Sequence, residues 1–407
     1  MALNTWQFLL LAACAAFFLP LTRGWIRTAL FLALNLVFVW SYWGAAATPV
    51  AMAFCLAGYA CARLVPRRST GVFAASLVVL TGLFAYLRGY STEFLTTGGG
   101  PTVVGVMAFA GLSFMFFKIV HVVIDAAAGT VGPLPFWSYV NYCLNFTTVL
   151  MGPIQRYQDF AAQWASPGAA PQTFEALVDA SNRVLRGLLK AFALAPLLAP
   201  YVLQTGLPIE SLSGTQLLLR TYAFYIYLYL EFSGYCDIMI GVGSWMGIRP
   251  PENFFLPFLA RNVSAYWLRV HRSLTQWLTD YVFTPTYRVA LGAPGLGRHA
   301  FLALSASLIL TMLVAGVWHG TTLHFAVFGA VHGVALVAVR GYEHWMVRWL
   351  GRARFRRITD TPYVTVAAVF LTYNFTSLAY AFFVLDLDES VRMFGRLTAL
   401  AAARLTA

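Results

Sequence analysis

The sequence predicts an all-α integral membrane protein, on three observations. Of 407 residues, 60% are hydrophobic and only 10% are charged, against about 25% charged in soluble domains. The scarcity has a physical cause, since an ionised side chain at bilayer depth costs at least ~2.5 kcal/mol. The chain also falls into apolar runs near the ~20 residues that a membrane helix needs. Finally, aromatics reach 16%, with 12 Trp and 20 Tyr, as interfacial belts and a packed bundle favour.

The runs fall at 5–22, 26–44, 48–65, 71–90, 103–124, 136–153, 187–205, 213–230, 232–247, 300–318, 322–341 and 362–385. Allowing for re-entrant segments, they predict about ten to twelve hydrophobic helices. The first run, Trp6 to Pro20, has no basic stretch before it and is followed by Arg23 and Arg27. That pattern predicts a first membrane helix, not a cleaved leader. Arg23 and Arg27 follow run one, and Arg63, Arg67 and Arg68 follow run three, whereas Gly44–Thr48 is uncharged. The positive-inside bias places the two basic loops in the cytoplasm and the N-terminus outside.

Two stretches look peripheral, 155–190 and 340–360, and in a third, 250–288, a long span is not expected. Residues 155–190 carry Arg156, Asp159, Glu175, Asp179, Arg183, Arg186 and Lys190, with Pro153, Pro167, Gly168 and Pro171 at the entry. From Thr173 onward Phe174, Leu177, Val178, Val184, Leu185 and Leu188 recur at helical spacing, which predicts an interfacial amphipathic helix. Residues 250–288 interleave Trp267, Val270, Leu274, Trp277, Leu278 and Tyr281 with Arg269, His271, Arg272, Gln276 and Asp280. This predicts an interfacial or re-entrant segment. Arg340 to Asp360, with Arg348, Arg352, Arg354, Arg356 and Arg357, reads as a basic cytoplasmic loop facing lipid. No internal repeat or soluble domain is visible, so residues 1–407 read as a single polytopic membrane domain.

The net charge of +12 would suggest nucleic acid in a soluble protein. Here the basic residues sit between apolar runs and fit loop anchoring on anionic lipid, so membrane lipid is the expected partner and nucleic acid is not. Cys14, Cys55, Cys61, Cys143 and Cys236 form no CxxC pair and read as buried thiols. No P-loop, Gly-rich dinucleotide motif, GxSxG or HExxH occurs, which removes support for those chemistries.

Polar residues that survive in an apolar context are the candidates for function. YAFYIYLYLEFSGYCD, Tyr222 to Asp237, holds Glu231, Ser233, Tyr235 and Asp237; its structural alternative is a hydrogen-bonded helix contact built on Ser233 and Gly234. VAGVWHGTTLHFAVFGAVH, Val314 to His332, holds three histidines. A neutral imidazole tolerates burial and suits proton abstraction near neutral pH; the alternative is a core histidine bonded to a carbonyl. His319 and His324 are five apart, off a common helical face, so no metal is expected. His121 and Asp125 lie one turn apart and can pair. GPIQR, Gly152 to Arg156, reads as a turn with an Arg that anchors or meets an anionic group.

Taken in order, GLSFMFFKIVHVVID, MGPIQRYQDF, YLEFSGYCDIMIGVGSWMGIRPPENFFLPF, YWLRVHRSLTQWLTDYVF and VWHGTTLHFAVFGAVHG resemble the membrane-bound O-acyltransferase family. The likeness is to its bacterial branch of alginate O-acetyltransferases and teichoic-acid D-alanyltransferases. It extends weakly to NTWQFLLL and SLAYAFFVLDLDESVRMF, and the WxRxH-to-WHG pairing is its specific part. Glu231 replaces a usual aspartate, His121 a tyrosine, and AFFVLDL lacks an arginine after the paired Phe.

The resemblance implies tilted helices ringed around a central tunnel, in the bacterial inner membrane. It implies His319 as catalytic base and His271 as its partner in orienting the acceptor or stabilising an oxyanion. Trp318 and Trp267 are expected to wall the cavity, and Asp280, Gln276, Ser233, Tyr235, Asp237 and Arg156 to contact substrate. The expected reaction moves an acyl group, acetyl first among them, from a cytoplasmic thioester to a hydroxyl of an extracytoplasmic glycan or other envelope acceptor. Acyl-CoA or an acyl carrier protein is the co-substrate, no bound cofactor is expected, and an extracytoplasmic acyltransferase is a candidate partner. The alternatives are D-alanyl transfer to an envelope polymer, a transporter or flippase without chemistry, and a scaffold that delivers acyl groups to a partner enzyme.

Overall fold

A computed structural model describes residues 5–65, 70–89, 111–165, 173–202, 208–296, 299–320 and 322–405, and no strand occurs among them. Arg67, Arg68, residues 103–110, Pro167, Gly168, Pro171 and Thr321 lie outside the described residues. Six described helices are long and apolar enough to cross a bilayer: Gly24–Leu64, Thr70–Arg88, Phe174–Tyr201, Ala300–His319, Leu323–Leu350 and Pro362–Val384. The chain is an all-α integral membrane protein. It divides into two compact units, one of residues 1–192 and 232–252, the other of residues 193–231 and 253–407.

The first unit begins with α1 (Trp6–Leu21), α2 (Gly24–Leu64) and α3 (Thr70–Arg88), followed by α4 (Leu112–Ala127) and α5 (Phe136–Leu144). The predicted runs 26–44 and 48–65 are the two arms of α2, joined at Gly44 with φ 74°. Both arms reach the nine-residue α5. Asn141 donates to Thr28 O (3.1 Å) and accepts from Asn35 (3.1 Å), while Tyr139 Oη donates to Cys55 O (3.2 Å). In a straight helix Thr28 and Cys55 would lie roughly 40 Å apart, and α5 is only about 13 Å long. The chain therefore folds back at Gly44, in a left-handed conformation that favours glycine. Arg27 and Arg63 thus share one membrane face, in keeping with the positive-inside reading.

The predicted run 136–153 is helical only to Leu144. Asn145, Thr147 and Thr148 are fully buried, and Asn145 Oδ1 accepts from both the Thr147 N–H (3.1 Å) and its hydroxyl (2.8 Å). Side chains that bond the local backbone end a helix in this way. The GPIQR turn follows and leads into α6 (Tyr157–Ala165). Arg27 Nη1 donates to Trp164 O (3.1 Å) and its guanidinium lies 4.2 Å from the Trp164 ring centre. The end of α6 therefore lies on the face that carries Arg27.

Next comes α7 (Phe174–Leu189), capped by Thr173, which accepts from the Ala176 N–H at 3.1 Å. Ala180, Val184 and Gly187 are buried on one side, while Phe174, Leu185 and Leu189 are exposed on the other. An amphipathic helix therefore forms, but it continues through a π-turn at Lys190–Leu194 and a 3-10 turn to Tyr201, joining the predicted run 187–205 in one helix long and apolar enough to cross a bilayer, where an interfacial helix was expected. The predicted runs 213–230 and 232–247 are one helix, α8 (Gly214–Trp245), which contains no Pro and carries Gly234 within it. These mergers, with the short α1, turn the expected ten to twelve runs into fewer, longer elements.

The second unit holds the first half of α8 and everything after Glu252. Residues 253–292 are broken into α9 (Val263–Trp267), α10 (Arg272–Leu278), a wide π-turn at Thr279–Phe283 and α11 (Thr284–Gly292). Then come α12 (Ala300–His319), α13 (Leu323–Leu350), the basic α14 (Arg352–Thr359), α15 (Pro362–Ala379) and α16 (Leu387–Leu405). α12 and α13 form a tight hairpin. A Cβ on Gly316 would sit 2.2 Å from Phe325 O, and one on Gly329 2.3 Å from Met312 O. Small residues let the two backbones close on each other, the usual packing device inside membranes.

Candidate active site

His319 ends the apolar α12, as the sequence predicted, and is half-buried. Its ring packs on Trp318 (centroids 4.6 Å apart) and Phe383 (4.9 Å), with Phe325 at 6.4 Å. His271 precedes α10 and is 6% exposed. It lies 6.2 Å from the same Trp318 ring, at 69°. The structure therefore brings His271, Trp318 and His319 together, from segments 47 to 48 residues apart in the chain.

His271 occupies a left-handed conformation, φ 43° and ψ 47°. For a residue other than glycine this costs on the order of 1–3 kcal/mol, and such strain clusters at functional sites. Asn253 holds it from one side. Its carbonyl accepts from the Arg272 N–H (2.9 Å), and its Oδ1 accepts from the Ser273 N–H (3.1 Å) and hydroxyl (2.8 Å). Burial, reinforced by the neighbouring His319, pushes the His271 imidazole down to about 3. It is therefore neutral at physiological pH and carries one N–H to donate and one lone pair to accept.

The other two histidines of the patch differ. His324 donates a ring N–H to Phe382 O (2.9 Å), which is the carbonyl-bonded alternative. His332 is fully buried and accepts from the Trp267 indole at 3.3 Å. Trp267 is thus close to His271 in sequence and anchored on α13. Gln276 and Asp280 are exposed on α10 and the π-turn, where the Gln276 amide donates to Asp280 at 2.9 Å.

Ser233, Tyr235, Asp237 and Arg156 belong to the first unit. Asp237 accepts from Arg183 Nε (3.1 Å) and Lys190 Nζ (2.7 Å), and Arg183 also forms a two-pronged pair with Glu252. These charges sit where α7 and α8 meet most closely, since a Cβ on Gly187 would lie 2.6 Å from Gly234 O. Ser233 is buried at that contact and Tyr235 packs edge-on to Phe192 (5.7 Å). Ser233 and Gly234 thus lie in a close helix contact, but the buried Ser233 hydroxyl meets no hydrogen-bond partner among the described residues, so the contact is one of packing and ion pairs. Arg156 precedes α6, and the next residue, Tyr157, donates its N–H to His121 Nε2 (3.1 Å), while Gln158 donates to Asp125 (2.7 Å). The first turn of α6 is thereby fastened to α4 just after GPIQR.

Asn253 and the role of His332 were not legible as site features in the sequence. Asn253 acts through its backbone carbonyl and one side-chain oxygen, for which no spacing rule exists. His332 was visible as a histidine in an apolar helix, but its partner lies 65 residues away.

The sequence is similar to those of several described bacterial proteins. The chain is 25% identical over 279 residues to a teichoic acid D-alanyltransferase of Bacillus subtilis, covering 68% of this chain and 69% of that protein. It is 31% identical over 227 residues to a probable alginate O-acetylase of Pseudomonas fluorescens, covering 56% of this chain and 43% of that protein. A peptidoglycan O-acetyltransferase of Helicobacter pylori matches at 29% over 248 residues, covering 61% and 44%. The alginate and peptidoglycan relatives are therefore matched over less than half of their own length. The model of the membrane-bound O-acyltransferase family matches residues 72–382, which takes in α3 through α15 and both histidines of the site. On that match the chain belongs to the membrane-bound O-acyltransferase family, and it is a multi-pass membrane enzyme that transfers acyl groups.

Proposed function

We propose that this enzyme takes an acyl group, acetyl in the first place, from a cytoplasmic thioester and places it on a hydroxyl of an extracytoplasmic glycan or other envelope acceptor. The setting is a bacterial inner membrane, and the donor is acyl-CoA or an acyl carrier protein. The two substrates reach the histidines from opposite faces, through the passage expected of a helix ring, and an extracytoplasmic partner enzyme can carry the group further.

The observation that carries the reading is the convergence of His271 and His319 on Trp318. His319 removes the acceptor's hydroxyl proton as its oxygen bonds to the thioester carbonyl carbon. The neutral His271 donates its N–H to the oxyanion that forms. The carbon–sulfur bond then breaks, and the departing thiolate recovers the proton from the His319 imidazolium. Trp318, Phe325 and Phe383 restrict water, which would otherwise hydrolyse the thioester.

D-alanyl transfer is the second reading. It is favoured by the teichoic acid D-alanyltransferases of Bacillus subtilis and Streptococcus thermophilus, matched over 69% and 70% of their own length. The test is mass spectrometry of alkali-labile esters on envelope polymers, in cells with and without this chain. Acetyl esters that vanish support the main reading, and D-alanyl esters that vanish support the second. A flippase predicts that esters persist without His319, and a scaffold predicts that the purified protein alone transfers nothing.

A further inference from the structure

We propose that His332 is a positioning residue for the reaction: through Trp267 it sets where His271 stands along the α12–α13 hairpin, and hence its place relative to His319. The proposal rests on the reading of His271 and His319 as the reacting pair.

Four observations carry it. The first is the direction of the bond. An indole N–H can only donate, so His332 Nδ1 must accept and the ring is a neutral imidazole with its hydrogen on Nε2. The second is that Nε2, fully buried, meets no hydrogen-bond partner among the described residues. A buried donor without a partner costs stability that leucine or phenylalanine at this point would not incur. What histidine adds here is therefore the acceptor at Nδ1.

The third is confinement. The His332 ring is held by Phe328 (4.6 Å), Phe375 (5.4 Å) and the face of Tyr266 (6.2 Å, 16°). Tyr266 is in turn bonded to the Tyr380 hydroxyl at 2.8 Å. The Trp267 anchor therefore has little freedom to slide.

The fourth is connectivity. Trp267 and His271 are joined by three residues, with the Val270 N–H bonded back to Tyr266 O (2.9 Å). His332 and His319 stand on the two arms of one hairpin, whose backbones meet at Gly316 and Gly329. The strained His271 is thus gripped on one side by Asn253 and on the other by Trp267 on His332. One rigid hairpin thereby fixes both imidazoles, directly for His319 and through a single indole bond for His271. Positioning errors of about an ångström are known to cost roughly a hundredfold in rate, so this bond has leverage on turnover.

The experiment expresses variants in cells lacking the native chain and reads envelope ester content by mass spectrometry, with the melting temperature of the purified protein alongside. His332→Leu should lower ester content at least tenfold while the melting temperature stays near that of the parent. His332→Asn, whose side-chain oxygen lies near the Nδ1 position, should restore at least half. Trp267→Phe should resemble His332→Leu, and the double variant should be no worse than either alone. Parental ester content in His332→Leu, equal loss in His332→Asn and His332→Leu, or multiplying losses in the double variant would each overturn the positioning role. His319→Ala separates the two layers. Activity retained there sinks the underlying reading, whereas an inactive His319→Ala beside a normal His332→Leu sinks only this one.

Discussion

Two polar clusters, one in each unit, are held within this apolar helical protein in different ways. In the first, Arg183, Lys190, Asp237 and Glu252 sit between α7 and α8 as paired charges. In the second, His271, His319 and His332 are ringed by aromatic side chains. Paired ions satisfy each other and have little left to offer a substrate. Breaking such a pair leaves an uncompensated charge, so its role is to fix helices. A neutral imidazole keeps a lone pair that can accept a proton and an N–H that can donate a hydrogen bond. The difference separates polar residues that hold this fold from those able to do chemistry, although both look alike as polar interruptions of apolar runs.

That contrast can be broken at several points. The largest effect should come from His319→Ala, a loss of roughly 10²–10⁴-fold in acyl transfer with normal membrane insertion, as removal of a general base predicts. Turnover close to that of the parent would end the base assignment. His271→Ala should lose about 10²–10³-fold, the scale of a missing oxyanion donor. Steady-state rates on purified protein in nanodiscs check both.

Asp237→Ala should act on stability instead. Both partners of the Arg183 pair are about 15% exposed, so the loss should be on the order of 1–3 kcal/mol after allowance for solvent screening. Thermal melting should fall while turnover per folded molecule holds. A selective loss of turnover would support substrate contact by Asp237 instead. Gly234→Val should also lower the melting temperature, because even a Cβ there meets Ala191 N at 2.8 Å; overpacking of this kind costs about 1–3 kcal/mol. The smallest effect is expected at Gln276→Ala, where both members of the pair are exposed. Its stability change should stay within about 0.5 kcal/mol, and its ester yield within a factor of two.

Much of the fold was readable before any coordinates, because the cost of burying charge writes itself into composition and run length. The fold-back at Gly44, the amphipathic face of α7 and the failure of 253–292 to span all follow from local residue chemistry. Where runs fused, as at α8, the sequence showed a dip in hydropathy around Glu231 but no proline. The patch Tyr222–Asp237 was visible as polar, yet the partners of Asp237 are Arg183 and Lys190, 54 and 47 residues earlier. Only the approach of α7 to α8 at Gly187 and Gly234 turns those charges into a clasp.

The sequence by itself determined that this chain lives in a membrane as a helical protein, and that histidines stand in the WHG and WxRxH segments. These are local matters of transfer free energy and side-chain type. Tertiary structure alone decided which polar residues meet. The indole of Trp318 lies against two imidazoles, Asn253 holds a strained His271, and Trp267 rests on His332, all through contacts between distant segments. Hydrogen bonds act over about 3 Å, and no spacing along the chain encodes a distance that only packing creates.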